Sequence, residues 1–346
     1  MSAFTKTLLA GAVALSAFAL PGAASAQTVT LKLTTFVPPV SNPPKTFLIP
    51  WIKKVEKASK GKLKIQGFWS MQLGGKPTQL LDQVKDGVVD IVWTLPGFTP
   101  GRMPSVEPFE LPFVHKDALS STLALQDYQD KYLKKDLSPY HPLLVHVHEG
   151  FFFQTKKPVK TMADLKGMKI RAASRAGVWL LGALGATGIG MPLPRIPAAL
   201  SKGVIDGVTL PYEIAPAVKT PDLVSHFTTL AGPQPRLGTN VFTFLMNKNA
   251  YAKLPADLKK VIDDHSGRNI AKWAGQNWRD IEKPGLAQVK KRKKNKFYII
   301  PAAEVAKIRK AAEPVFDRWF AEMKKVGLDG PAMLADARKL IDKYSK

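Results

Sequence analysis

GVVD at residues 87–90 is followed by TLP at residues 94–96, and GVID at residues 203–206 is followed by TLP at residues 209–211. In both places a glycine marks the end of a predicted helix, a short apolar strand comes next, and Thr-Leu-Pro forms a turn at its carboxyl end. Ligands of open α/β sheets bind outside the carboxyl ends of the strands. We therefore predict two lobes whose corresponding strand ends face a common cleft.

Strand and helix patterns alternate on both sides of this repeat, as judged from the spacing of apolar residues. Predicted strands occupy 28–34, 62–66, 88–93, 151–154, 168–172 and 204–210. Predicted helices occupy 51–59, 80–85, 178–184, 255–289 and 305–326. The strands are apolar enough to belong to sheets that helices cover on both faces, so the fold class is α/β.

The first 26 residues have the features of a secretory signal. Lys6 precedes a mostly apolar run from Leu8 to Leu20, and Ala24-Ser25-Ala26 gives a small-x-small cleavage pattern. The apolar run is shorter and richer in alanine than a membrane-spanning helix, which needs about 20 strongly apolar residues. We expect cleavage near Ala26 and a soluble mature protein in the periplasm.

Composition narrows the range of functions. The chain has 346 residues, 45% of them hydrophobic, which suits two domains with packed cores. It has no cysteine, so neither a disulfide nor a cysteine-ligated metal is available. The formal net charge is +24 and the basic residues are spread along the chain, which suits attraction of small anions toward a cleft. Export argues against nucleic acid as a partner.

A series of motifs extends over essentially all of the chain after residue 26. Its members are the segments 31–36, 67–74 (GFWSMQLG), 80–93, 110–113 (ELPF), 162–171 (MADLKGMKIR), 184–186 with 191–192, and 199–211. In this order and spacing the segments resemble the substrate-binding proteins of tripartite ATP-independent periplasmic (TRAP) transporters, the DctP-like family.

This resemblance implies two α/β lobes with crossing connections, a long helix that spans both lobes, and a clamshell that closes over the ligand. Lobe I would comprise residues 27–148 and about 236–276, and lobe II residues 149–235 and about 277–346. The ligands of the family are organic acids, and the arginine that pairs with their carboxylate matches Arg171. A guanidinium engages a carboxylate through two parallel hydrogen bonds, which supplies both charge and orientation.

Three positions depart from the sialic-acid-binding members of this family. An aromatic run at 151–153 stands where those members have a second arginine, Leu210 replaces an asparagine, and no acidic residue lies near Leu95. A sugar acid would leave hydroxyls unpaired here, at roughly 1–3 kcal/mol each. Segments 93–97 and 171–175 resemble the branch that includes binders of lignin-derived aromatic acids. We therefore expect a monocarboxylate with an aromatic or hydrophobic body, such as a benzoate- or cinnamate-like compound.

The expected site combines the anion-binding arginine with aromatic walls and a few hydroxyls. The candidate ligand-binding residues are Arg171, Arg175, Ser174, Trp93, Thr94, Phe36, Phe68, Phe152, Thr209, Leu210 and Tyr212. No metal, cofactor or catalytic residue is expected. His146 and His148 have strand spacing, but no third metal ligand accompanies them, which favours a solvated or hydrogen-bonded pair.

Other interpretations use the same sequence. The ligand could be a C4-dicarboxylate or a 2-oxo acid, and the chain could be a secreted two-lobed enzyme acting on a carboxylate, although no motif for an activated nucleophile is present. The chain could also be the binding module of an ATP-driven importer, which likewise closes two lobes around its ligand. The basic run at 290–296 is interpreted as a solvated surface. The expected partners are a small organic acid and the membrane subunits of a TRAP transporter, with the protein itself a monomer.

Overall fold

The computed structural model describes residues 28–345 as an assembly of two β-sheets and fourteen α-helices. The predicted signal segment lies outside the described residues. The strands are β1 (Val29–Thr35), β2 (Leu63–Phe68), β3 (Ile91–Thr94), β4 (Tyr140–Val147), β5 (Phe152–Thr155), β6 (Lys169–Ala172), β7 (Thr187–Gly190), β8 (Gly207–Leu210), β9 (His226–Leu230), β10 (Val241–Asn247) and β11 (Lys296–Ile300).

The helices surround both sheets, as expected for an α/β protein. They are α1 (Ile49–Ala58), α2 (Leu80–Lys85), α3 (Ala118–Tyr132), α4 (Lys134–Leu137), α5 (Arg175–Ala183), α6 (Ile196–Ser201), α7 (Thr220–Leu223), α8 (Lys248–Ala252), α9 (Ala256–Asp264), α10 (Arg268–Asp280), α11 (Glu282–Lys290), α12 (Ala302–Ala311), α13 (Glu313–Lys325) and α14 (Gly330–Tyr344). Within residues 28–345, none of them combines the length and apolarity that a membrane crossing requires.

Each lobe is built on one sheet. The first has the strand order β2-β1-β3-β10-β4, with β10 antiparallel to both of its neighbours. The second has the order β11-β9-β5-β8-β6-β7, with β5 antiparallel to β8 and β9. Strand β10 returns to the first sheet after five strands of the second, so the chain crosses between lobes more than once. The predicted two-lobed α/β fold with crossing connections is confirmed.

The sequence repeat corresponds to one structural unit that occurs in each lobe. In lobe I, Asp90 Oδ2 accepts a hydrogen bond of 2.7 Å from the backbone N–H of Lys32. In lobe II, Asp206 Oδ2 accepts one of 2.8 Å from the backbone N–H of Lys169. Each aspartate thus fixes the start of its strand against the neighbouring parallel strand.

The strands of this repeat begin later than predicted. Val88 and Val204 are 60% and 49% exposed, and the strands start at Ile91 and Gly207 rather than at the valines. The reason is the glycine at each helix end, which has a positive φ and directs the following residue outward before the chain enters the sheet. The second copy of the repeat has one residue fewer between its aspartate and its threonine than the first copy has. As a result, β8 ends at Leu210, at the position that Thr94 holds at the end of β3.

The long helix predicted from the family is present as α10 and α11, which follow one another with a bend at Ile281. Helix α10 packs against α3 and β4 of lobe I. Helix α11 reaches lobe II, where a Cβ on Gly285 would lie 2.7 Å from the backbone carbonyl of Tyr212. Glycine therefore permits the close approach of this helix to the strand end that borders the cleft.

The C-terminal helices connect the lobes a further time. Helix α13 contacts α5 of lobe II, and α14 packs along α3 of lobe I. The lobe boundaries remain a prediction. Both sheets lie within the predicted ranges. Helix α14, however, lies against lobe I, although residues 277–346 were expected in lobe II. The buried side chains at this junction include Trp319 and Met333.

Candidate ligand-binding site

A cavity with an empty volume of about 390 Å³ lies between the carboxyl ends of β3 and β8, at the position that the repeat predicts. Small-molecule sites are mostly apolar with a few placed polar groups, and the lining of this cavity has that character. The lining residues are Phe36, Val37, Pro43, Trp93, Leu95, Phe98, His148, Arg171, Ala173, Leu193, Leu210, Pro211, Glu213, Ile214, Asn240 and Phe242. Both lobes contribute to this wall.

Arg171 is the arginine of this cavity and lies on β6, which pairs with β8. Its side chain is 1% exposed, and its Nε donates a hydrogen bond of 2.7 Å to the backbone oxygen of Met191. Within residues 28–345 its Nη atoms have no carboxylate partner. Burial lowers the pKa of Arg171 to about 9, which leaves the guanidinium charged at neutral pH. The Met191 contact fixes one edge of the guanidinium while the other can meet an anion.

Stacked aromatic rings form one wall of the cavity. The Trp93 ring stacks on Phe36 and on Phe242, with centroid separations of 5.7 Å and 4.5 Å. Its Nε1–H donates a hydrogen bond of 2.9 Å to Nε2 of His146. A hydrogen-bonded indole that stacks on two aromatic rings has little freedom to turn, so this wall is rigid.

The two histidines are hydrogen-bonded within the protein. His148 Nδ1 accepts from the backbone N–H of Gly150 at 2.9 Å, and its Nε2 lies 3.3 Å from Oδ1 of Asn240. Burial lowers the pKa of both His146 and His148 to about 3, so both rings are neutral. Among residues 28–345 no group of three metal-binding side chains is found. His148 is thus a neutral ring in the cavity wall, with both ring nitrogens engaged by partners within the protein.

Two predicted residues next to Arg171 lie just outside the cavity lining. Ser174 caps the first turn of α5, and its Oγ accepts a hydrogen bond of 3.3 Å from Asn240 of lobe I. Arg175 forms an ion pair of 2.6 Å with Glu107 of lobe I. Glu107 also accepts a hydrogen bond of 2.9 Å from Nε1 of Trp319. These side chains join the two lobes instead of facing the cavity.

The lobes also touch directly beside these residues. Gly97, two residues after Leu95 of the cavity wall, approaches so closely that a Cβ on it would lie 2.9 Å from the Cβ of Ser174 and 3.2 Å from the backbone oxygen of Ala173. Side chains do not tolerate such a contact without a shift of the backbone. The structure therefore represents the closed form of the clamshell, in which the cavity is covered.

The other predicted residues divide between the cavity wall and its support. Phe36, Trp93 and Leu210 line the cavity. Thr209 donates a hydrogen bond of 3.2 Å to the backbone oxygen of Arg171, and Thr94 is buried beside the wall.

The remaining three aromatic residues lie outside the lining. Phe68 is half-buried at the end of β2. Phe152 and Tyr212 pack on each other at 4.1 Å between ring centroids, beneath the guanidinium of Arg236. Arg236 in turn pairs with Glu282 of α11. Phe152 and Tyr212 therefore contribute to the packing of lobe II and do not line the cavity.

A comparison with known protein families identifies the family of this chain. A model described as "Bacterial extracellular solute-binding protein, family 7" (DctP) matches residues 35–323. The chain belongs to this family. The prediction of a TRAP-type solute-binding protein is confirmed, and the family as a whole consists of binding proteins.

Solved structures resemble this DctP-family protein closely. A TRAP solute-binding protein from Rhodoferax ferrireducens T118, in complex with copurified benzoate, is 42% identical, with 92% of this chain and 99% of that chain covered and a TM-score of 0.90. A marine metagenome TRAP solute-binding protein specific for aromatic acid ligands, with 3-hydroxybenzoate, is also 42% identical, with 92% and 100% covered and a TM-score of 0.90.

One relative has a name that refers to the outer membrane and not to solute binding. The "Outer membrane transporter protein TsaT" of Comamonas testosteroni is 28% identical over 320 residues, which are 91% of this chain and 93% of the relative.

Several lining residues of the DctP-family protein were not among the sequence-based candidates. They are Val37, Pro43, Leu95, Phe98, His148, Ala173, Leu193, Pro211, Glu213, Ile214, Asn240 and Phe242. Leu95, Pro211 and Glu213 carried a usable signal, since they belong to or follow the two Thr-Leu-Pro turns. Asn240 and Phe242 lie on or before β10 and reach the cavity through the crossing connection, which no local pattern reveals.

We expect the stability of the DctP-family protein to fall between pH 6.5 and pH 8. Burial raises the pKa of Glu110 to about 8 and that of Glu149 and Glu282 to about 7, from an ordinary value of 4.5. The native state therefore holds more protons than the unfolded state in this range, and the free energy of unfolding decreases as pH rises. The neutral histidines act in the opposite direction, and their effect fades as pH rises above 6.5, the ordinary pKa of histidine. Urea unfolding at a series of pH values measures the slope.

The matched variant for this pH dependence is Glu110→Gln, which keeps the shape of the side chain and removes its titration. Its unfolding free energy should depend less steeply on pH above 6.5 than that of the wild type. A wild-type profile that is flat or that rises from pH 6.5 to pH 8 would contradict the assignment of protonated buried carboxyls.

Proposed function

We propose that the chain captures an aromatic monocarboxylate between its lobes, in the periplasm, and delivers it to the membrane subunits of a TRAP transporter. The observation that carries this proposal is the buried guanidinium of Arg171 at one side of a cavity whose other walls are mostly apolar and aromatic. The relatives that hold benzoate and 3-hydroxybenzoate support the same ligand class.

The charge of the cavity favours one acid group over two. Within residues 28–345, Arg171 is the one Lys or Arg among the lining residues, and both nearby histidines are neutral. A C4-dicarboxylate would place its second carboxylate against apolar walls without a cation. A buried and unpaired charge is far more costly than a buried neutral ring. The aromatic monocarboxylate is therefore the preferred ligand.

The mechanism is a population shift between open and closed lobes. Residues of both lobes line the cavity, so a bound ligand contacts all of them only when the lobes are closed. The carboxylate docks on Arg171, and closure removes the ring from water against Trp93 and Phe36. The membrane subunits would then recognise the closed surface.

The function is tested by isothermal titration calorimetry of the purified protein with benzoate, cinnamate, succinate and pyruvate. We expect binding of an aromatic acid and much weaker or no binding of the other two acids. The bound compound is then released by denaturation and analysed by mass spectrometry. Recovery of unaltered ligand supports a binding protein, whereas conversion of the ligand would support an enzyme. Preferential binding of succinate or pyruvate would contradict the aromatic assignment.

Leu210→Asn should weaken the binding of benzoate by about tenfold. Leu210 is 4% exposed and lines the cavity, so the new amide would be buried against an apolar ring. An unpaired buried amide costs about 1–3 kcal/mol, and about 1.4 kcal/mol corresponds to a factor of ten in affinity. Titration calorimetry measures the change. The control is Val204→Asn at the exposed valine of the same repeat, and unchanged or higher affinity of Leu210→Asn would contradict an apolar contact with the ligand.

A further inference from the structure

Glu213 is a buried acidic residue in the wall of the cavity, three positions after Leu210. It is 4% exposed although its side chain has no ion-pair partner within residues 28–345. An acidic residue is rarely buried in this way unless it is paired or performs a function. Its place in the cavity lining puts it within reach of a ligand.

The backbone of Glu213 is held from two sides. Its N–H donates a hydrogen bond of 2.8 Å to Oε2 of Glu282, and its carbonyl oxygen accepts one of 2.7 Å from Nδ2 of Asn42. Glu282 lies on α11, and Asn42 precedes the helical segment that leads into α1. Elements of both lobes thus fix the backbone of this residue when the clamshell is closed.

One oxygen of the Glu213 carboxyl group is unsatisfied in the part of the protein that the structure describes. Its Oε2 atom is buried and has no hydrogen-bond partner among residues 28–345. Burial, and then the nearby carboxyl of Glu282, raises the pKa of Glu213 well above its ordinary value. Arg236 does not compensate, since it pairs with Glu282. Burial without a cation favours the protonated form of Glu213, which has one O–H donor and free acceptor sites.

A neutral carboxyl suits this cavity for two reasons. It does not repel the ligand carboxylate that docks on Arg171, and it can exchange hydrogen bonds with a hydroxyl group. A site with a buried polar group discriminates strongly against a ligand that leaves the group unpaired. The ligand that pairs both groups has a carboxylate at one end and a hydrogen-bonding substituent elsewhere on its ring.

We propose that Glu213 determines ligand specificity by hydrogen-bonding a ring hydroxyl, so that the preferred ligands are hydroxy-substituted aromatic monocarboxylates. This inference rests on the proposed function, because it assumes that the ring of an aromatic acid occupies the cavity. The ligand would then have a polar contact with Glu213 in addition to the one with Arg171. The ligand class is thereby narrowed to hydroxy-substituted aromatic monocarboxylates.

The test compares benzoate with 3-hydroxybenzoate and 4-hydroxybenzoate by titration calorimetry at pH 7. The wild type should bind at least one hydroxybenzoate at least tenfold more tightly than benzoate, a comparison that needs no variant. Glu213→Leu should reduce this preference to less than threefold, because it removes the group that pairs with the ring hydroxyl. Glu213→Gln should retain most of the preference, because an amide also donates and accepts.

The control variant is Glu149→Gln, a half-buried acid with a raised pKa that is not among the cavity-lining residues. It should leave the preference unchanged. Benzoate binding without any preference for a hydroxybenzoate would overturn the role of Glu213 and leave the proposed function intact. An equal loss of both ligands in Glu213→Leu would also overturn it, since the residue would then act on the carboxylate or the fold. Absence of binding by every aromatic acid would reject both proposals.

Discussion

Replacing Arg171 by alanine should lower the affinity for an aromatic acid at least tenfold. The guanidinium is 1% exposed and its Nε is already engaged by Met191, so it is preorganised for an anion. In the variant the ligand carboxylate would be buried among apolar side chains without its partner. Loss of one partner of a buried charged pair costs about 2–5 kcal/mol. Titration calorimetry with benzoate measures the change directly.

Two further variants separate charge from geometry at this position. Arg171→Lys keeps a positive charge but loses the planar fork, so it should bind more weakly than the wild type and more tightly than the alanine variant. Arg195→Ala removes an exposed arginine from the same lobe and should have no effect. Thermal unfolding shows whether each variant is folded. An affinity of Arg171→Ala within threefold of the wild type would remove this residue from the binding site.

Arg175→Ala should destabilise the closed protein by about 3 kcal/mol, the cost typical of breaking a buried ion pair. The variant leaves Glu107 buried without its cation, with Trp319 as its remaining side-chain partner. Burial already raises the pKa of Glu107 even in the presence of Arg175. Because the pair joins the two lobes, closure should weaken as well, and ligand affinity should fall although Arg175 lies outside the cavity lining.

Urea unfolding and calorimetry test both parts of this prediction. The guanidinium groups of Arg175 and Arg318 stack on the same ring, that of Trp179, at 5.2 Å and 4.5 Å from its centroid. Arg318→Ala is therefore the matched control, since it removes a stacking contact without breaking the ion pair. The second change Glu107→Gln, added to Arg175→Ala, should restore part of the stability. Equal effects of the two alanine variants would show that stacking, rather than the ion pair, is what matters.

The sequence predicted the features that depend on local patterns. The Thr-Leu-Pro repeat located the strand ends at the cavity, and the motif around Arg171 placed that residue beside them. Both signals are short and contiguous. The start of β3 was placed three residues too early, because an apolar pattern does not distinguish the exposed Val88 from a strand residue.

Contacts between distant segments could not be predicted in this way. Arg175 was assigned to the ligand, but its partner Glu107 is 68 residues away in the other lobe. Phe152 was assigned to the wall for its aromatic character, yet it packs with Tyr212 under Arg236. Aromatic residues serve cores and sites alike, and only the three-dimensional arrangement separates these roles.

The placement of Trp93 gives the protein a built-in optical reporter. Its indole is part of the cavity wall, and its Nε1–H is hydrogen-bonded to His146. Indole emission responds to a ring that stacks on it and to the polarity around it. Binding can therefore be followed by the intrinsic fluorescence of the unlabelled protein, and a Trp93→Phe variant isolates this signal from the background of the other tryptophans.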